Sequence, residues 1–371
     1  MEEKLQALMA KYGAVGLSAA VVRAGEVSWS GGFGVSDLQR GLPVTPETMF
    51  RVASISKVMV GTALMQQWEQ GKFQLDDDIG ELLGFSVRNP NHPERAISVR
   101  HLLTHNGSLH EEQTPAAEEA YYGFLGASRT TDEPPQMREL LVPGGRYYTA
   151  DIWAPWAAGE KFEYSNLGTG ILATILERLS GERFDVYVRE NICKPLGMRA
   201  SFNVQDLEEI NRLSVIYNAE HEPRIDHYQG VKPIPQDLRS YEVGTNGMIF
   251  SPQGGLRASV LDLVKLLLAH QQGLGGLLRP ETLQLMHREQ WRGCGVNGLY
   301  KQKGLHVHIT DDLLQGMRLY GHAGDAYGVL TGMYFSKEEN FGLCYCINGA
   351  EIKQGEAFYE VEEALARVLA V

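Results

Sequence analysis

Hydrophobic residues recur at helical spacing in several parts of the chain, and each of these repeats predicts a helix. Near the N-terminus the repeat consists of Leu5, Leu8, Met9 and Tyr12. The other predicted helices cover residues 54–70, 168–180, 260–270 and 356–369. The segment 54–70 is apolar around most of its circumference, which predicts a buried helix rather than a surface one.

Alternating and continuous apolar segments predict strands at both ends of the chain. Residues 16–27 form the first strand, and residues 27–34 form its hairpin partner, with the turn at Ala24 and Gly25. Near the C-terminus the predicted strands cover residues 300–309, 317–321, 329–335 and 342–348. Strands at both ends and helices between them predict an α+β fold, an antiparallel sheet flanked by helices plus a mostly helical inserted domain.

The positions of these elements predict the domain boundaries. The sheet domain comprises residues 1–70 and 250–371, and the mostly helical domain comprises residues 71–249. Because a cleft between domains is the usual place for a small-molecule site, we expect the active site at their junction.

Composition narrows the classes of function. With 371 residues, of which 43% are hydrophobic and 22% charged, the sequence is typical of a globular protein with two compact domains or one large one. The 34 basic residues are outnumbered by 46 acidic ones, so the net charge is −12. Nucleic acids and anionic membranes bind clustered Lys and Arg, and an acidic net charge disfavours both. We therefore predict neither as a partner.

The cysteines, the length of the apolar stretches and the N-terminal pattern bear on the compartment of the protein. The chain has four cysteines, too few for a disulfide framework, and Cys344 and Cys346 are interpreted as buried packing thiols. No apolar stretch reaches the roughly 20 residues of a spanning helix, so no transmembrane segment is predicted. The N-terminus lacks the pattern of a signal peptide. We expect a cytoplasmic protein as the sequence stands, or a periplasmic or secreted one if a leader was removed.

The strongest chemical signal is Ser54-Ile55-Ser56-Lys57 at the start of the predicted buried helix. Residues three apart on a helix share a face, so Lys57 can bring its amine to the Ser54 hydroxyl. A serine becomes an effective nucleophile when a neighbouring base takes its proton. The alternative interpretation is a surface serine and lysine in a helix cap, because this short motif is common.

Two further motifs favour the catalytic interpretation. Tyr164-Ser165-Asn166 precedes a helix, and a tyrosine beside a lysine ammonium can act as a base near neutral pH. Asn166 can orient Lys57 or a substrate amide. His322-Ala323-Gly324 lies at the end of a predicted strand, where the missing side chain of Gly324 would let an extended substrate lie alongside the strand edge.

In this order the three motifs resemble those of the penicillin-recognising serine hydrolases. That superfamily includes class C β-lactamases, serine D-Ala-D-Ala carboxypeptidases, D-aminopeptidases and β-lactamase-fold esterases. The resemblance extends over residues 16–349 and implies a β-lactamase/transpeptidase-like fold. It also implies that Ser54 is the acylated nucleophile and that Lys57 and Tyr164 handle its proton.

The same resemblance implies the substrate-binding residues. Asn166, His322, Ala323 and Gly324 would hold the substrate. The backbone N–H groups of Ser54 and Asp325 would form the oxyanion hole. It implies no metal and no cofactor, and a small-molecule or peptide as substrate; the oligomeric state is not predicted.

Departures from the family pattern shape the expected substrate. His322 stands where many relatives have a lysine, which weakens the case for a β-lactamase and predicts activity that changes between pH 6 and 7. Asp325 adds an acid beside the oxyanion hole that the resemblance implies. We therefore favour an ester, or an amide of a small acyl or D-amino-acid group. The alternatives are a D-Ala-D-Ala carboxypeptidase or penicillin-binding protein, a weak β-lactamase, and a non-catalytic sensor or scaffold.

Other segments carry weaker signals. Residues 111–155, rich in Tyr, Trp, Pro and Glu, match no motif and are expected to form part of the pocket wall. Residues 104–109 are interpreted as a loop with a structural role. His306 and His308 are interpreted as packing or surface residues rather than metal ligands.

Overall fold

An antiparallel sheet joins the two ends of the chain in the computed structural model, which describes residues 1–293 and 301–371. Within these residues the strands are β1 (Gly16–Arg23), β2 (Glu26–Asp37), β3 (Leu42–Pro43), β4 (Phe50–Arg51), β5 (Ile216–Tyr217), β6 (Pro223–Ile225), β7 (Arg257–Ala258), β8 (Trp291–Arg292), β9 (Gln302–Lys303), β10 (His308–Thr310), β11 (Leu319–Ala326), β12 (Val329–Ser336) and β13 (Phe341–Asn348). The main sheet has the order β3-β2-β1-β13-β12-β11-β10-β9-β8.

Helices account for most of the remaining regular structure in the described part of the chain. They are α1 (Glu2–Tyr12), α2 (Ser56–Glu69), α3 (Ile79–Leu83), α4 (Val99–Leu103), α5 (Pro115–Thr130), α6 (Arg138–Leu141), α7 (Asn166–Ser180), α8 (Phe184–Val188), α9 (Val260–Gln272), α10 (Pro280–His287) and α11 (Glu360–Leu369). None of them combines the length and the apolar character that a membrane crossing requires.

The first hairpin shows how local sequence sets the register of the sheet. β1 and β2 are joined by Ala24 and Gly25, which have φ of 51° and 84°. Two consecutive positive φ values match the right-handed twist of the flanking strands. On its other edge β1 pairs with β13 over its whole length, from Gly16 opposite Asn348 to Arg23 opposite Phe341.

Helices cover both faces of this sheet, which explains why β12 and β13 are buried at every position. On one face the apolar residues of α1 and α11 join those of β1 and β13 in a single core. The predicted apolar stripe of α1, formed by Leu5, Leu8, Met9 and Tyr12, is buried there. On the other face Leu267 of α9 packs against Gly342. Cys344 and Cys346 are buried free thiols, which confirms their interpretation as packing residues.

The C-terminal strands differ from the prediction in their lengths. The predicted strand 300–309 is interrupted by a hairpin in which the Gly304 N–H donates to the Val307 carbonyl, so β9 and β10 are short. The first residue of that prediction, Tyr300, lies outside the described residues. β11 continues to Ala326, five residues beyond the predicted end at 321. α11 begins at Glu360 rather than at 356, after a turn closed between Gly355 and Phe358.

The chain divides into two compact units. The first comprises residues 1–58, 191–233 and 254–371 and contains every strand named above. The second comprises residues 59–190 and 234–253 and is helical, with α3 and α4 packed against the buried helix α7. Residues 191–233 cluster with the first unit, whereas the sequence analysis grouped them with the helical segment; the domain boundaries themselves stay a prediction.

Candidate active site

A strained turn in the first unit carries Ser54. The chain leaves β4, forms a 3-10 turn over Ala53–Ile55 and enters α2 at Ser56. Ser54 therefore precedes the helix, whereas the sequence analysis placed it in the first helical turn. Ala53 has a φ of 47°, a left-handed conformation that costs a residue with a side chain on the order of 1 kcal/mol or more. Such a conformation persists where surrounding contacts hold the backbone.

Two neighbouring segments provide those contacts. The Val52 N–H donates to the Leu256 carbonyl at 2.9 Å, and the Thr331 hydroxyl donates to the Val52 carbonyl at 2.9 Å. A Cβ added to Gly324 would lie 2.6 Å from the Val52 carbonyl oxygen and 3.0 Å from the Ala53 Cβ. The missing side chain of Gly324 thus makes room for the serine turn, whereas the sequence analysis assigned that room to a substrate.

Lys57 lies beside the Ser54 side chain. Its Nζ donates to the Ser54 Oγ at 3.0 Å, and its own side chain is buried while Ser54 is partly exposed. His306, also buried, donates from Nδ1 to the Lys57 carbonyl at 2.9 Å. A second buried lysine, Lys303, has a pKa well below its ordinary value because of burial and the nearby charge of Lys57. This arrangement can pass a proton between the serine and the lysine.

The third motif lies within β11 rather than at the end of a strand. His322 is buried, its ring centroid lies 3.9 Å from that of His308, and its Nδ1 donates to the Ala323 carbonyl. Burial, together with the charges of Lys303 and Lys57, lowers the pKa of His322 well below its usual range. His322 is therefore neutral at pH 6 to 7, and the expectation that it makes activity change in that interval is wrong.

Asp325 follows this motif and is exposed. Its Oδ2 accepts a hydrogen bond of 2.9 Å from the hydroxyl of Tyr359, the residue before α11. The carboxylate is thus oriented by a side chain from the far end of the chain. The roles of the Ser54 and Asp325 N–H groups as an oxyanion hole stay a prediction.

The second motif lies in the second unit, at the start of α7. Ser165 caps this helix, because its Oγ accepts the Gly168 N–H at 2.8 Å. Tyr164 and Asn166 flank the cap and are both partly exposed. A serine cap fixes the direction of the chain at a helix N-terminus, so it also fixes where its two neighbours lie.

His105 supports Tyr164 from the loop after α4. The two rings stack with their centroids 4.4 Å apart and an interplanar angle of 27°. His105 Nδ1 also accepts the Ser165 N–H at 3.2 Å, which requires that nitrogen to be unprotonated. His105 is buried and has a φ of 57°. This agrees with the structural role predicted for residues 104–109.

Two adjacent glutamates bind the same motif. Glu111 is buried, and its Oε1 accepts from the Ser165 hydroxyl and from the Leu167 N–H, each at 2.8 Å. Glu112 Oε1 accepts from the Asn166 amide at 3.3 Å. Neither glutamate was predicted as a site residue. Their one signal was a pair of acids two residues after the loop 104–109, and that pair matches no recognised motif.

The rest of the segment 111–155 contains the helices α5 and α6 and a 3-10 turn at Ala150–Ile152, joined by loops. Thr114 caps α5 through a 3.1 Å bond from the Ala117 N–H, and Ile152 and Trp153 are buried. Its predicted role as a pocket wall stays a prediction. Within the described residues, no group of three or more His, Cys, Asp or Glu side chains has an arrangement that could hold a metal ion.

The chain is similar in sequence to known proteins over most of its length. The family model described as Beta-lactamase matches residues 1–366. The chain is 27% identical over 290 residues to the esterase EstB of Burkholderia gladioli, which covers 76% of this chain and 71% of the esterase.

Solved structures show the same fold. The octameric penicillin-binding protein homologue from Pyrococcus abyssi superposes with a TM-score of 0.74 and 25% identity, covering 100% of this chain and 76% of that one. The D-amino acid amidase from Ochrobactrum anthropi SV3 superposes with a TM-score of 0.71 and 21% identity, covering 99% and 96% of the two chains. The predicted β-lactamase/transpeptidase-like fold is confirmed.

Proposed function

Because this chain belongs to the beta-lactamase family of serine hydrolases, we propose that Ser54 is its nucleophile and that its substrate is a small ester or amide. The part of the substrate transferred to Ser54 is a small acyl group or the acyl group of a D-amino acid. The observation that carries the proposal is the 3.0 Å hydrogen bond between the buried Lys57 amine and the Ser54 hydroxyl. A serine with a basic partner at this distance is equipped for acyl transfer.

The proposed reaction has two halves. Ser54 Oγ attacks the substrate carbonyl carbon as its proton passes to Lys57, which must be in its neutral amine form to accept it. The leaving alcohol or amine then departs with that proton, returned through Lys57 or Tyr164. Water then attacks the acyl-serine ester, which releases the carboxylic acid and restores the serine hydroxyl. In this proposal Asn166 positions the substrate, while the N–H groups of Ser54 and Asp325 stabilise the oxyanion.

The charges near the third motif support a substrate without a carboxylate beside the bond that breaks. His322 is neutral because burial lowers its pKa, so it supplies no fixed positive charge. Asp325, three residues further on, brings a carboxylate instead. A penicillin or a peptide ending in D-Ala-D-Ala carries an anionic carboxylate that this pair does not neutralise. The esterase and the D-amino acid amidase among the similar proteins also support this substrate class.

The test is hydrolysis of a substrate panel by the wild type, Ser54→Ala and Ser56→Ala. The panel contains 4-nitrophenyl butyrate, D-alanine 4-nitroanilide and benzylpenicillin, and intact mass is followed in parallel. Ser56→Ala is the matched control, because it removes a serine hydroxyl only two residues from Ser54. The Ser56 hydroxyl is buried and accepts the Leu256 N–H at 3.1 Å.

We expect turnover of the ester or the anilide by the wild type and by Ser56→Ala, and none by Ser54→Ala. Hydrolysis that persists in Ser54→Ala would contradict the nucleophile assignment. A lasting penicillin adduct on Ser54, without turnover of the ester or anilide, would instead favour a penicillin-binding protein.

A further inference from the structure

Glu111 is held at the N-terminus of α7 by two donors that converge on one of its oxygens. The Ser165 hydroxyl and the Leu167 N–H each donate to Oε1 at 2.8 Å. The Leu167 N–H belongs to the first turn of the helix, where backbone donors have no partner within the helix. The positive end of the helix dipole also favours an anion at this place.

These contacts connect Glu111 to two proposed site residues. Ser165, which bonds to Glu111, lies between Tyr164 and Asn166 in the chain. Its Oγ bridges the Glu111 carboxylate and the Gly168 N–H, so the carboxylate and the helix cap form one hydrogen-bonded unit. Moving the carboxylate would therefore move the backbone that sets the positions of Tyr164 and Asn166.

We propose that the ionised Glu111 carboxylate is a positioning residue for the hydrolytic reaction, since it holds the Tyr164–Asn166 segment in its reactive conformation. This inference rests on the proposed function, because Tyr164 and Asn166 matter only if that segment serves the reaction. Glu111 acts through Ser165 and Leu167.

Ionisation of Glu111 falls in the physiological range. Its pKa is raised to about 7, because burial and the charge of Glu112 raise it more than the hydrogen bonds from Leu167 and Ser165 lower it. The other titratable groups of this loop region are His105, which stacks on Tyr164, and the pair His110–Glu163, joined at 2.7 Å.

The sign of the effect follows from the donors. An ionised carboxylate accepts stronger hydrogen bonds than a neutral carboxyl group, roughly twice as strong. Protonation of Glu111 below pH 7 therefore loosens its contacts with Ser165 and Leu167. The reactivity of Ser54 is expected to fall as the pH falls through about 7. The titrating group is thus Glu111, whereas the sequence analysis expected His322.

The experiment measures kcat/KM for 4-nitrophenyl butyrate and the rate of Ser54 labelling by a fluorophosphonate probe, from pH 5.5 to 8.5. It compares the wild type, Glu111→Gln and Glu119→Gln. The last is the matched control, an exposed glutamate on α5. We expect the wild type and Glu119→Gln to gain activity through pH 7. Glu111→Gln should have a flat profile, about fivefold to tenfold lower at pH 8.5.

A second readout does not depend on activity. An acid whose pKa is raised in the folded state makes the protein less stable as the pH rises through the interval between the unfolded and folded values. The melting midpoint of Glu111→Gln minus that of the wild type should therefore increase between pH 5 and pH 8. A difference that does not change with pH would show that Glu111 does not titrate there.

The outcomes separate the two proposals. If Glu111→Gln keeps the rise through pH 7, Glu111 is not the positioning residue. If Ser54→Ala is still active, or Ser54 is never labelled, the proposed function fails, while the melting midpoints still report the titration of Glu111.

Discussion

The Nζ atom of Lys57 lies 3.0 Å from the Oγ atom of Ser54, although the two residues belong to different local structures, a 3-10 turn and an α-helix. The helix holds the lysine in a buried position, and the turn leaves the serine partly exposed. The Lys57 amine is thus shielded from water while the Ser54 hydroxyl stays accessible, as the proposed roles of base and nucleophile require. This division is what acyl transfer requires.

Replacing Lys57 by Met should abolish most of the reactivity of Ser54 without unfolding the protein. Methionine fits a buried, elongated space but cannot accept a proton. We expect the acylation rate to fall by roughly a hundredfold or more, the usual contribution of a positioned base. The measurement is single-turnover acylation by intact mass. Lys161→Met, at an exposed lysine, is the control and should react like the wild type.

Replacing Gly324 by Ala should lower both stability and activity. The new Cβ would lie 2.3 Å from the Thr331 Oγ1 and 2.6 Å from the Val52 carbonyl oxygen, so the serine turn must shift. Overpacking of this kind costs about 1–3 kcal/mol. Gly126→Ala on α5 has no atom within 4 Å of its new Cβ and should be neutral or stabilising. Urea unfolding and acylation rates check both variants, and an unchanged Gly324→Ala enzyme would contradict the packing argument.

Replacing His322 by Gln should leave the pH dependence of activity between pH 6 and 7 unchanged. The imidazole is neutral throughout this interval, because burial and two nearby lysines lower its pKa well below the usual range. A neutral side chain of similar size therefore changes no charge there. Rate profiles of kcat/KM against pH test this. If the change of activity with pH disappeared in the variant, His322 would have to titrate in the wild type.

Replacing His105 by Phe should reduce activity while keeping the stacked ring on Tyr164. Phenylalanine preserves the face-to-face contact but removes the Nδ1 acceptor of the Ser165 N–H. Loss of a buried acceptor costs about 1–3 kcal/mol. We expect lower stability and at least a severalfold lower kcat/KM. His227→Phe, at an exposed histidine, provides the control. Wild-type kinetics in His105→Phe would mean that ring stacking alone orients Tyr164.

Replacing Glu362 by Gln should make stability less dependent on pH. Burial raises the pKa of Glu362 to about 8, and its Oε1 accepts the Tyr345 hydroxyl at 2.8 Å. The folded state therefore keeps a proton that the unfolded state releases above its ordinary pKa of about 4.5. Between these values Glu362 alone lowers the stability of the wild type by about 1.4 kcal/mol for each pH unit of increase.

Urea unfolding at pH 5 and pH 8 measures this difference. Glu362→Gln should lose less stability between the two pH values than the wild type, because the share contributed by Glu362 is removed. Glu360→Gln, an exposed glutamate on the same helix, should behave like the wild type. Equal slopes in the wild type and Glu362→Gln would show that this carboxyl group is ionised in the folded protein.

Sequence reasoning succeeded where the determining contacts are periodic or lie close in the chain. The stripe from Leu5 to Tyr12 is buried because one helix face packs on a core. The helical spacing of its apolar residues is enough to predict this burial. Ser54 and Lys57 meet because they are three residues apart. By contrast, Glu111 reaches Leu167 across 56 residues, and no local pattern encodes such a contact.

The same limit explains the errors at the third motif. The protonation of His322 depends on burial and on Lys303 and Lys57, which come from other elements. The space beside Gly324 is filled by Val52 and Ala53, some 270 residues earlier in the chain. A residue type states what a side chain can do. Its surroundings, which arise only on folding, decide which of these possibilities is realised.

The pairing of β1 with β13 has a consequence for synthesis of the protein. During translation the first strand emerges some 320 residues before its partner, so one of its edges stays unpaired until β13 has also left the ribosome. An exposed strand edge is prone to pairing with other chains. Chaperones that cover such an edge, or slow translation ahead of β13, should therefore influence the yield of active enzyme more than changes within the helical unit.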